Sequence, residues 1–143
     1  MNESLAATPP TERELQALKI LWRRSEATVR EICDDLQQSG QQLAYTTVLS
    51  LMQVMEQKGL VGHTTVGKVY SYHALAQERS TLASLARTFL DSVFDGAVDQ
   101  YLLHALGDRK ISPDELKRLD ALLAAARKQR PRSNDQNRTG ESK

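Results

Sequence analysis

At 143 residues, 40% hydrophobic and 26% charged, the chain has the length for one domain, or one domain with an appended element. Its balance is that of a soluble globular protein rather than a disordered one. A net charge of +1 announces neither a polyanion nor a membrane surface as partner, and no apolar run approaches the roughly 20 residues that span a bilayer. The opening MNESLAATPP lacks the basic start and apolar centre of a secretory signal, and a single cysteine, Cys33, admits no internal disulfide, so a cytoplasmic location is expected.

Residues 1–10 read as a flexible N-terminus. Thr11–Glu14 and Thr28–Glu31 both match S/T-x-x-E, in which the hydroxyl accepts an orphan N–H of the first helical turn and the glutamate reaches back. Behind the first come Leu15, Leu18, Leu21 and Trp22 on one stripe, with Trp22 expected in the core. Behind the second come Val29, Ile32, Cys33 and Leu36, with Cys33 expected as a small buried hydrophobe and Gly40 as the stop. A third stripe, Val48, Leu51, Met52 and Met55, ends at Gly59.

The period then changes. LVGHTT (60–65) and VYSYHAL (69–75) flank Val66-Gly67-Lys68, which predicts a β-hairpin. Tyr70 and Tyr72 share a strand face and are expected to pack this hairpin onto the helices. Beyond Gln77 helix returns, with a first stripe of Leu82, Leu85, Ala86, Phe89 and Val93 and a second helix over Ala97–Leu106. A third helix opens at Ser112–Glu115 and carries Leu116, Leu119, Leu122, Leu123 and Ala126. Residues 131–143 are polar and read as a disordered tail.

Three helices followed by a hairpin is the order of a winged helix-turn-helix, in which the third helix enters the major groove and the hairpin follows the backbone. The fold class is thus mainly α with a small hairpin: a winged-helix domain over 11–76 and a helical dimerisation region over 77–130. The third helix would hide its apolar stripe and turn Thr46, Ser50, Gln53 and Gln57 (i, i+4, i+7, i+11) to base edges, where hydroxyls and amides both donate and accept. Thr47 joins that surface; Tyr45 either meets DNA or closes the core, and Leu49 either touches a thymine methyl or is simply exposed. Lys68 would reach a phosphate from the hairpin tip, supported by His63. Between Leu36 and Gln77 the only acid is Glu56, so a polyanion is least repelled there and at the basic segment Arg127–Arg132. Leu102, Leu103 and Leu106, with Leu82, Leu85, Phe89, Leu116, Leu119, Leu122 and Leu123, are too many for helices appended to a finished domain, and a second copy is the partner expected to cover them.

Other chemistry is not legible. His63, His73 and His104 are scattered, no nucleophile-and-base order or phosphate-gripping glycine loop stands out, and Asp91, Asp95 and Asp99 read as a solvated face. No enzyme activity, metal or cofactor is expected. The rival to DNA reading is a winged helix used as a protein-interaction module, the outer face of the third helix binding a partner protein.

ELQALKILW (14–22), TVREICDDL (28–36), AYTTVLSLMQVMEQKGLV (44–61) and VGKVYSYHAL (66–75) together resemble the penicillinase-repressor (BlaI/MecI/CopY) family, over roughly Thr11 to Arg127. The resemblance implies a homodimeric winged-helix repressor on palindromic double-stranded operators, with C-terminal helices that interlock between protomers. It further implies release by a sensor-linked protease or, in the copper branch, by metal. This chain has Val54 where many members carry arginine, Gly67-Lys68 where the wing commonly reads Gly-Arg, and no C-terminal cysteine pairs. His104-Ala105 stands where the protease-responsive members are cut at Asn-Phe, so the inducing signal does not carry over.

Overall fold

A computed structural model describes residues 9–129; the expectations for residues 1–8 and for the segment from Arg130 onward, including the whole tail over 131–143, fall outside it. The elements run α1 (Glu12–Arg24), β1 (Glu26–Thr28), α2 (Val29–Gln38), α3 (Tyr45–Gln57), β2 (Val61–Val66), β3 (Val69–Ala74), α4 (Glu78–Phe94), α5 (Val98–Gly107) and α6 (Pro113–Gln129). They divide into two compact units, residues 1–96 and 97–143. No helix among the described residues is long and apolar enough to cross a membrane.

Both threonine starts form as the local chemistry requires. Thr11 Oγ1 accepts from Glu14 N–H at 3.2 Å while the Glu14 carboxylate accepts from Thr11 N–H at 2.9 Å, and Thr28 and Glu31 repeat the same pair of bonds. Ser112 Oγ accepts from Glu115 N–H at the start of α6. Gly40 (φ 94°) and Gly59 (φ 83°) adopt the left-handed conformation beyond α2 and α3, which an L side chain reaches only with strain.

The core lies where α1, α2 and α3 meet. Leu18 and Leu21 of α1, Ile32 and Leu36 of α2, and Val48, Met52 and Met55 of α3 are buried together with Val61 and Tyr72. Removing one such side chain typically costs about 2–5 kcal/mol. Burial also pushes the Tyr72 phenol up from its ordinary range, the nearby Glu56 carboxylate adding to the shift.

The sheet departs from the expected hairpin in two ways. It has three strands in the order β1-β3-β2, all antiparallel, because residues 26–28 pair with Ser71–His73 before α2 begins. The wing turn is also tighter than expected: Val66 pairs with Val69, leaving Gly67 (φ 66°) and Lys68 as the two connecting residues.

Two other expectations are corrected. Trp22 is only half-buried, and its indole N–H donates to the Ala76 carbonyl at 2.9 Å, which ties α1 to the chain beyond the sheet. Cys33 is likewise half-buried, its thiol donating to the Leu43 carbonyl at 3.4 Å.

Charge also joins the helices. Asp35, 8% exposed, accepts two bonds from Arg24 (2.7 and 3.1 Å) and one from Arg23 (3.0 Å), binding the end of α1 to α2. The Arg24 hydrogen bond, more than any other influence, holds the Asp35 carboxyl below the usual carboxylate range. A depressed pKa means this stabilisation is complete above the ordinary value near 4 and is lost as pH falls through the depressed value. Asp35→Ala should therefore cost about 1–3 kcal/mol at neutral pH, since both arginines keep contact with water. Thermal melts of this variant and the native chain should converge in strong acid; a gap that persists unchanged there would assign the loss to packing instead.

Candidate nucleic-acid interface

The buried stripe of α3 fixes what its opposite side presents. Because Val48, Met52 and Met55 face inward, residues displaced by about half a turn face out, and Thr46, Thr47, Ser50, Gln53 and Gln57 are all exposed. Val54, 43% exposed, interrupts this polar surface. No side chain of α3 is cationic, and its one acid, Glu56, lies on the flank toward the wing.

That flank takes up His63. Its Nδ1 lies 2.8 Å from a Glu56 carboxylate oxygen, and its ring stacks on Tyr70 with centroids 4.2 Å apart. His63 therefore links the recognition-helix candidate to the wing rather than standing beside Lys68 as a second surface cation. Tyr70 departs from expectation as well. It shares a face with the fully buried Tyr72, but lies nearer the wing tip, where it is 45% exposed. Lys68 is exposed in the wing turn, as a phosphate contact would need.

Lys58 at the end of α3 is not free for DNA. Its ammonium donates to both Glu14 carboxylate oxygens, at 3.0 and 2.9 Å, and Glu14 is itself buried in α1. One cation that the spacing did not single out does stand on this surface. Arg30, exposed in the first turn of α2, holds its guanidinium 5.1 Å from the centroid of the Tyr45 ring. Arg30, Tyr45 and Leu49 of the helices and Lys68 and Tyr70 of the wing line one cleft of about 490 Å³. Tyr45 itself is 42% exposed and does not close the core.

The three C-terminal helices have no buried residue. Of the side chains expected to form a dimer, Leu82, Phe89, Leu103, Leu106, Leu116, Leu122 and Leu123 are exposed, and Leu85, Leu102 and Leu119 are half-buried. No group of histidine, cysteine and acidic side chains among the described residues could hold a metal ion.

A solved structure of a MarR family protein from Bacillus stearothermophilus shares the fold at a TM-score of 0.50 and 22% identity, over 90% of this chain and 80% of that one. The solution structure of the DNA binding domain of the repressor BlaI is 22% identical over 48% of this chain and 83% of its own, at a TM-score of 0.44. The penicillinase repressor of Bacillus licheniformis is 22% identical over 113 residues, 79% of this chain and 88% of that protein. The sequence profile of the penicillinase repressor family matches residues 10–125. With that match running from the cap of α1 into α6, the chain belongs to the penicillinase repressor family.

Proposed function

We propose that the protein is a DNA-binding transcriptional repressor that acts as a homodimer on a near-palindromic operator. Family membership supports the DNA-binding repressor itself. The observation that carries the finer reading is the division of α3 into an apolar stripe, with Val48, Met52 and Met55 buried and Leu51 half-buried, and an uncharged, exposed face of Thr46, Thr47, Ser50, Gln53 and Gln57. A helix so divided, anchored beside a wing, can lie in the major groove and match base edges by hydrogen bonding. Lys68 contacts the backbone. The exposed apolar side chains of α4, α5 and α6 are covered by a second copy, which sets two copies of α3 on successive half-sites.

The test is binding of the purified protein to fragments from upstream of its own gene, against scrambled duplex, at two salt concentrations. Tight, selective binding that weakens with salt by a log–log slope of about −0.9 per phosphate neutralised supports the reading. Salt-insensitive binding, or none to any fragment selected genome-wide, would favour a protein-interaction module instead. Within an established operator, Gln53→Ala should cost about 1–3 kcal/mol at one base pair and relax the preference there, as measured on a set of single-base operator variants. An equal loss on scrambled DNA would contradict a reading role.

A further inference from the structure

The cleft between the first turns of α2 and α3 and the wing has a chemistry that the base-reading face does not. Among the described residues, Arg23, Arg24 and Lys58 are all engaged by carboxylates of the domain, whereas no carboxylate pairs with Arg30 or Lys68. The nearest acid in sequence to Arg30 is also engaged: Glu31 accepts from Thr28 N–H and lies 3.8 Å from Arg24. Two uncompensated cations, one from the first turn of α2 and one from the wing turn, thus line one cleft together with Tyr45, Leu49 and Tyr70.

Arg30 is also restrained. Its guanidinium lies 5.1 Å from the centroid of the Tyr45 ring, a contact that lowers the ordering cost of using its planar fork of N–H donors. Such a fork matches two oxygens of a phosphate, which a lysine ammonium meets only as a point charge. A duplex that takes α3 into its major groove and lays its backbone along the wing must pass a strand between these two elements.

We propose that Arg30, held over the Tyr45 ring, and Lys68 of the same cleft grip one backbone phosphate of the operator. This inference rests on the operator-binding reading. It makes Arg30 a phosphate contact and Tyr45 a positioning residue that acts through Arg30, not a reader of bases.

The experiment measures affinity of the full-length protein for its operator and for scrambled duplex across a salt series. Arg30→Ala is expected to weaken both about tenfold and to shallow the log–log salt slope by about one unit. Tyr45→Phe, which keeps the aromatic face, should lose less affinity than Tyr45→Leu. Tyr45→Leu should weaken binding several-fold without altering base preference, and should have no further effect in an Arg30→Ala background. An unchanged salt slope for Arg30→Ala, or a Tyr45→Leu loss that adds fully to that of Arg30→Ala, overturns the proposal while leaving operator binding in place. Native protein that binds no duplex overturns the operator reading itself, and this inference with it.

Discussion

A chain carrying Leu103→Asp and Leu122→Asp is expected to be monomeric and to lose about 100-fold or more in operator affinity. These leucines are 64% and 66% exposed, on α5 and α6, so in one protomer they already face water. Replacing them leaves the first unit untouched and costs the helices only a few tenths of a kcal/mol each in propensity. A second copy, however, would have to bury two carboxylates at positions it otherwise covers with apolar surface. Once the dimer is lost, the second α3 no longer binds at the high effective concentration that tethering supplies, typically worth 10²–10⁴ in avidity. Sedimentation equilibrium gives the mass, circular dichroism the retained helix, and anisotropy the operator affinity. A variant that stays dimeric would move the interface away from these two residues. A monomer that binds the operator undiminished would remove dimerisation from the mechanism.

Much of the first unit was legible because its signals are local. The capping boxes at Thr11 and Thr28 bring together residues three apart, and the apolar stripes recur at the helical period, so neither depends on the rest of the fold. β1 was not legible for the opposite reason. Glu26–Thr28 is too short to show an alternation and is a strand only because β3 comes to lie beside it. The two wing tyrosines show what periodicity omits. It placed Tyr70 and Tyr72 on one strand face, but not the point along that strand where the core ends.

The candidate interface divides along the same line. An outer face for α3 followed from its buried stripe, whereas the use of each charge depended on contacts between elements distant in sequence. His63 meets Glu56 across the helix-to-wing step, Lys58 meets Glu14 forty-four residues away, and Arg30 is set apart from Arg23 and Arg24 only because Asp35 engages those two. A low density of acids around α3 pointed to this surface without identifying its free cations.

Lys58→Met is expected to lower stability by about 2–3 kcal/mol without touching the salt dependence of DNA binding. The Glu14 carboxylate is only 4% exposed, and its partners are Thr11 N–H and the Lys58 ammonium. Breaking a buried pair by removing one member commonly costs 3–5 kcal/mol, since the remaining charge stays buried and uncompensated. The Lys58 side chain is 29% exposed, so water offsets part of that loss. Methionine retains the apolar stem, which confines the change to the charge. Glu14→Gln in the same chain should recover much of the stability, because the amide oxygen still accepts from Thr11 N–H and no buried charge is left. Denaturant melts of the two single variants and the double variant measure this coupling; simple additivity would show that the pair is not a stabilising unit. Where the variant remains folded, its log–log salt slope should equal that of the native protein, while Lys68→Ala should shallow the slope by about one unit. A shallower slope for Lys58→Met would mean that this ammonium leaves Glu14 for a phosphate when DNA binds, making the junction of α1 and α3 part of the interface.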